Sequence, residues 1–359
     1  MKIPFFKSYF SIIFLLLFNS GSFGQNDKKN LDPIARFKPG SIQMLANEIS
    51  KKYSKDEQRI TAVYQWVTNN IRYDLKQANS NELSLSQQTI TENTFKSRRA
   101  VCEGYAGLMD SLSRLLKIPS HLVSGYTRIL GEIDPTPHVW VASYINGNWL
   151  LSDPTFGAGA MVNNRFVQEY NPDFLLVNPG KMIQTHMPYD PLWQFLPSPY
   201  THEAFVSKKM NATLKHYFKH HADSLKSFIE ADPAKQNQLE LDRLQAQKYE
   251  YTAVVQRMNF LQQSLNISQY NDAVRLLNLI SDKFNNAVGA YNSYAESFNK
   301  NQRSASNPIN LSDLSKAEKL LEECSELLYT GKYPPQLMEQ AKSIQQSLTE
   351  FQQKVKSAR

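Results

Sequence analysis

The stretch HVWVASYINGNWLLSDPT, residues 138–155, restricts the fold more than any other part of the chain. Two alternating apolar runs meet at Asn146-Gly147. Both residues tolerate positive φ, and the pair is a strong signal for a two-residue hairpin turn. Such a turn sets the register. Ile145 faces Asn148; counting outward, Trp140 faces Asp153 and His138 faces Thr155. His138 and Asp153 then share one face of the sheet, offset by one pair. Diagonal neighbours lie roughly 7–8 Å apart at the backbone, within reach of longer side chains. A three-residue loop would put them on opposite faces. Taken singly, each has a plainer explanation: a satisfied sheet histidine, and an aspartate turning the chain before Pro154.

The segments before the hairpin read as helices and a strand. DEQRITAVYQWVTNNI sets Ile60, Val63, Tyr64, Val67 and Ile71 on one helical face that begins near Asp56. Residues 77–93 are polar and read as a loop. A second helix is expected over 102–117, with Ala106, Met109, Leu112, Leu115 and Leu116 inward and Pro119 stopping it. HLVSGYTRI follows as a strand. Near residue 200 the composition changes. All four tryptophans precede that point, whereas beyond it apolar residues recur at steps of three and four. Four seams result: Tyr251 to Leu265, Val274 to Phe298, Leu314 to Leu328 and Met338 to Val355, with breaks such as SNPIN and TGKYPP between some of them. Antiparallel helices in a bundle or a coiled-coil hairpin are expected there.

At the other end, Lys2 and Lys7 precede the apolar run SIIFLLLF, and Ser22 and Gly24 suit cleavage before Gln25. The run is short for a membrane span. It reads as a secretory signal, so an exported protein, periplasmic or extracellular, is expected. The layout becomes signal peptide 1–24, N-terminal segment 25–54, a mixed domain 55–200 and a helical domain 201–359. A net charge of +7 is modest for 359 residues, and its mixed distribution argues against a nucleic-acid partner. Two cysteines do not make a disulfide framework; they form one bridge or remain two separate thiols.

Cys102 lies in RRAVCEGYAGLMDSL, at the start of the second helix. Free N–H groups and the helix dipole favour a thiolate there, and Arg98 and Arg99 are placed to add positive potential. Gly104 allows close approach of backbone or substrate. A buried, inert cysteine is the competing reading, and position alone leaves both open. A thiol nucleophile needs a base, and the base an orienting group; His138 and Asp153 fit those roles. Cys324 falls on an apolar seam and reads as a small core residue rather than a partner for Cys102. His216, His220 and His221 have helical spacing, but no acidic or cysteine partner completes a metal site. His186 reads as structural or as lining the cleft. With no phosphate loop and no dinucleotide fingerprint, no metal or cofactor is expected.

VCEGYAGL followed by HVWVASYINGNWLLSDPTFGAG resembles the transglutaminase-like superfamily, which has the papain-like fold. The resemblance extends to WVTNNIRYD upstream. It also extends to FLLVNPGKMIQTHMPYDPLWQFL downstream, which is similar to the kyphoscoliosis-peptidase branch with its cytokinesis-related members. It covers roughly residues 55–200. It implies an α+β core in which the helix bearing the cysteine packs on an antiparallel sheet. It implies Cys102 as nucleophile, His138 as general base and acid, and Asp153 as the group holding the imidazole. The thiolate would attack a carboxamide or peptide carbonyl, and water, or less often an amine, would resolve the thioester. The Cys102 N–H would supply one oxyanion donor; Trp66 and Tyr105 are weaker candidates for the second, and Trp66 suits the core better. The chain departs from its relatives at Arg99-Ala100, where a glycine is common, at Phe156, where a tryptophan is common, and at Lys117, where a glycine is common. These departures bear on cleft shape and substrate. Some members of the branch lack the full triad and act as binding domains. The expected function is therefore an exported cysteine-dependent amide hydrolase, peptidase or deamidase, or an acyltransferase, acting on a protein or peptide. The rival is a non-catalytic binding or scaffold protein, its helical region serving dimerisation or docking. A third reading gives the function to the helical region.

Overall fold

The computed structural model describes residues 32–78, 85–163, 165–210, 213, 221–304 and 306–358. The signal peptide expected over 1–24 lies outside the described residues, as do His216, His220 and the side chain of His221. Helix Asp56–Asn70 forms as its apolar period predicts, burying Ile60, Val63, Tyr64 and Val67 together with Trp66. The next helix spans Cys102–Leu115. Lys117, at φ 65°, turns the chain out of it. Ala106, Met109, Leu112 and Leu116 are buried, but Leu115 falls off the inward stripe and is exposed.

Part of the loop expected over 77–93 is helical: residues 87–93 belong to helix Gln87–Ser97. Ser86 caps it by accepting the Thr89 N–H. Its inner face is Thr91, Thr94 and Phe95, and two threonines there hide the apolar period. It lies against the Cys102 helix at Gly104, where a Cβ would meet Thr94 Oγ1 at 2.3 Å and Ala100 Cβ at 2.5 Å. The smallness of Gly104 thus serves a helix contact rather than a substrate.

Four strands make the main antiparallel sheet: β1 (Ser120–Ile129), β2 (Glu132–Ile145), β3 (Asn148–Ser152) and β4 (His186–Pro188), in the order β3-β2-β1-β4. Asn146 and Gly147 turn between β2 and β3 at φ 50° and 83°. Ile145 pairs with Asn148 and the register continues to Val141 and Ser152, as the two-residue turn dictates. The ladder stops there. Asp153 caps the short helix Pro154–Ala158, so Thr155 does not pair with His138. Between β1 and β2, Gly125 faces His138 and Thr127 faces Asp134. One residue of β1 therefore opposes Pro135-Thr136-Pro137 of β2, a bulge fitted to two residues that cannot donate to a ladder.

The chain divides into two compact units. The first runs to Ala231 and takes up Leu239–Met258, and the second comprises Asp232–Gln238 and Asn259–Arg359. The first unit thus continues past residue 200: Leu225 and Phe228 belong to one apolar cluster with Trp140, Leu192 and Trp193. The second unit is helical, as its seams predict. Apart from Tyr251, the first two seams fall on a single 52-residue helix, Thr252–Arg303, whose residues to Met258 belong to the first unit, because neither proline nor glycine separates Leu265 from Val274. Helices Leu311–Thr330 and Met338–Lys356 carry the others. Leu277, Ile280, Leu321 and Leu348 fill its core together with Cys324. Both cysteines are free thiols, Cys324 buried and Cys102 partly so. Among the described residues, no helix is long and apolar enough to cross a membrane.

Candidate active site

Cys102 is the first residue of its helix, and Val101, at the cap position, makes no side-chain capping bond. The amides of the first turn are therefore left uncapped by any side chain. The two preceding arginines are used elsewhere. The Arg98 guanidinium lies over the rings of Phe95 and Trp66, at 4.2 and 4.7 Å from their centroids. Arg99 pairs with Asp74 at 3.4 Å. Each cation thus has contacts of its own, and Asp74 offsets the charge of Arg99.

His138 stands on β2, and Asp153 follows β3. His138 Nε2 lies 2.7 Å from Asp153 Oδ2. Asp153 Oδ1 accepts the N–H groups of Thr155 and Phe156 at 2.8 and 3.1 Å. The cap thus orients the carboxylate that the hairpin register brings to His138. Cys102 shares the cleft with the imidazole and raises its pKa; with Nε2 turned to Asp153, Nδ1 is the nitrogen left to serve the thiol. Burial disfavours charge on His138, but Asp153 and Cys102 outweigh it and the imidazole is pushed up to about 10. Burial likewise opposes ionisation of Asp153, yet His138 and His186 hold its carboxyl well below the usual range. At neutral pH the two form an imidazolium–carboxylate pair.

His186 holds a place that the sequence did not reveal. Its Nε2 lies 3.1 Å from the same Asp153 Oδ2, and its Nδ1 lies 2.8 Å from Thr185 Oγ1. It is buried, and burial lowers its pKa. A neutral ring donating from Nε2 to Asp153 and accepting at Nδ1 from Thr185 satisfies both contacts. β4 delivers it, through the pairing of His186 with Thr127 of β1. His186 thus braces Asp153 from behind. The donor atoms of His138, Asp153 and His186 lie within 4.8 Å of one another, close enough to hold a metal ion. The hydrogen bonds they already make account for the cluster without one.

Cys102 and His138 open on a cleft walled by Phe156, Met161 and Phe166, with Tyr73, Asp134 and Thr155 also lining it. Phe156 packs against His138 with ring centroids 4.9 Å apart. Trp66 and Tyr105 are wholly buried. Their polar atoms bond the carbonyls of Phe37 and Ile71 at 2.9 and 2.8 Å. Neither belongs to the cleft, which removes both as oxyanion donors.

Residues 43–154 match the sequence profile of the Transglutaminase-like superfamily. The chain is 28% identical over 169 residues to the human Kyphoscoliosis peptidase, a match covering 44% of this chain and 25% of that protein. It thus spans about a quarter of the curated relative's length. Among solved structures it is similar to a candidate cysteine protease from Cytophaga hutchinsonii, at 28% identity over 36% of this chain and 44% of that one, with a TM-score of 0.27. It is also similar to the periplasmic domain of TgpA from Pseudomonas aeruginosa, at 21% identity over 36% of this chain and 49% of that one, with a TM-score of 0.26.

Proposed function

Because the chain carries a transglutaminase-like domain of the kyphoscoliosis-peptidase branch, we propose that it is a cysteine-dependent amide hydrolase acting on a protein or peptide. Cys102 is its nucleophile, His138 its acid and base, and Asp153 the group that holds His138. One observation carries this reading. Asp153 is bonded to His138 at 2.7 Å, and His138 shares one open cleft with Cys102 at the start of its helix.

In the resting site the thiol proton already sits on Nδ1 of His138 as part of the imidazolium, and the Cys102 thiolate adds to the amide carbonyl carbon. The carbonyl oxygen becomes an oxyanion, which the Cys102 N–H at the uncapped helix start can meet. The imidazolium then protonates the leaving nitrogen as the C–N bond breaks and a thioester remains. Water, losing a proton to His138, attacks the thioester; the C–S bond breaks, the acid leaves and the thiolate–imidazolium pair is restored. An amine in place of water gives acyl transfer. Asp153 stays ionised throughout and stabilises the imidazolium. The basic start and the apolar run of residues 11–18 support export to the periplasm or beyond. The helical second unit supports docking or dimerisation.

Alkylation by iodoacetamide at neutral pH tests the reading. Cys102 should react roughly tenfold or more faster than in the His138→Ala variant, because the thiolate is the reacting species. Cys324, buried in its helical core, serves as the internal control. Equal and ordinary rates in both proteins would make the cleft a binding site without a nucleophile.

A further inference from the structure

We propose that Asp134 forms a cation subsite in the Cys102 cleft, taking the ammonium or guanidinium group of a positively charged residue in the peptide substrate. The proposal rests on the cleft being where the substrate lies.

The walls of the cleft are mostly apolar, and its charges are few. His138 is already matched by Asp153. Asp134, half-buried, has no ion pair among the described residues. Basic groups near it in sequence are engaged elsewhere: Lys208 with Glu132 at 3.1 Å, and Arg128 with the carbonyls of Gly131 and Phe205. One Asp134 oxygen accepts the Thr136 N–H at 2.9 Å. That bond pins the carboxylate to the bulge and leaves its second oxygen for a ligand.

The bulge also explains why Asp134 reaches the cleft. Thr127 and Gly125 are two residues apart on β1, while their partners Asp134 and His138 are four apart on β2. Both separations are even, so the inserted residues leave the alternation of faces intact. Asp134 and His138 therefore present on the same side. Two further groups suit a cation. Tyr73 lines the cleft together with Cys102 and Asp134; burial raises its hydroxyl pKa, and Cys102 and Asp134 raise it further. An aromatic face beside a carboxylate favours a cation. Thr155 Oγ1 is buried without a hydrogen-bond partner and lines the same cleft, ready to accept an N–H.

Binding to the Cys102→Ser protein tests the subsite without needing a reactive thiol. The probes are two capped peptide amides that differ only by arginine in one and citrulline, its neutral isostere, in the other. Calorimetry should find the arginine peptide bound roughly tenfold tighter, the ratio expected of one charge-assisted hydrogen-bonded contact. In the same protein carrying Asp134→Asn, the ratio should fall to about one, with citrulline binding unchanged. Equal binding of the two peptides to the Asp134-containing protein, or a preference that survives Asp134→Asn, would overturn the proposal. Slow alkylation of Cys102 would instead defeat the nucleophile reading and leave this comparison intact.

Discussion

Asp153 accepts two hydrogen bonds on each carboxylate oxygen: two backbone amides on Oδ1 and two imidazoles on Oδ2. That is why a wholly buried acid stays ionised. The charge it holds on His138 couples stability to pH. The His138 pKa is raised from 6.5 to about 10. A raised pKa contributes stability that is complete below the unfolded value and is lost as pH climbs to the folded one. Thermal stability should therefore decline between about pH 6.5 and 10 through this pair. Asp153→Asn, which removes the negative charge, should flatten that decline while lowering stability at pH 6. Melting temperatures at pH 6 and pH 10 for both proteins decide it, and an unchanged decline would be the contrary result. Two partners of this network were legible because they sit in one hairpin, where counting residues fixes the faces. His186 was not. It arrives on a three-residue strand more than thirty residues past Asp153, and strand order on that side of the sheet has no local signal.

At the scale of elements, close approach matters more than propensity. Gly125 sits in β1 between His138 and Pro188. A Cβ there would meet the Met187 carbonyl oxygen at 2.1 Å and the Trp140 ring at 2.6 Å. Neither is a flexible side-chain end. Gly125→Ala should cost about 1–3 kcal/mol, the usual range for overpacking. It should also slow Cys102 alkylation, because it displaces the strand that brings His186 to Asp153. Denaturant midpoints and labelling rates on the same protein measure both. A stable variant with unaltered labelling would mean that β4 tolerates the shift. Helix Gln87–Ser97 shows the limit of reading periods in a sequence. Its buried face is partly threonine, so what identifies it is the fit of Thr94 and Thr91 to Gly104 and Gly107 on the neighbouring helix, and that pairing is visible only in three dimensions.

The molecule as a whole does not part where its composition does. Helical sequence begins soon after residue 200, yet Leu225, Phe228, Leu241 and Leu244 are buried in the first unit. Composition reports what a segment folds into, not which core receives its side chains. Arg243 reinforces the point by pairing with the buried Asp190. Truncation after Tyr200 should expose Trp193 and the cluster around it, losing about 1.5–3 kcal/mol for each large apolar side chain removed. It should also leave Asp190 without its cation. A chain ending at Met258 should keep both. Soluble yield and melting temperature compare the two, and equal stability would show that residues 201–258 are dispensable to the first core.

The two-residue turn at Asn146-Gly147 works as a ruler. Five paired positions separate it from the end of the ladder, and the alternation of faces makes its unit of length two residues. Lengthening the connection by one residue would leave every side chain of the site present and chemically unchanged, but turn the Asp153 carboxylate away from His138. The site is therefore open to substitution along its cleft walls and closed to changes of length in a loop that it never touches.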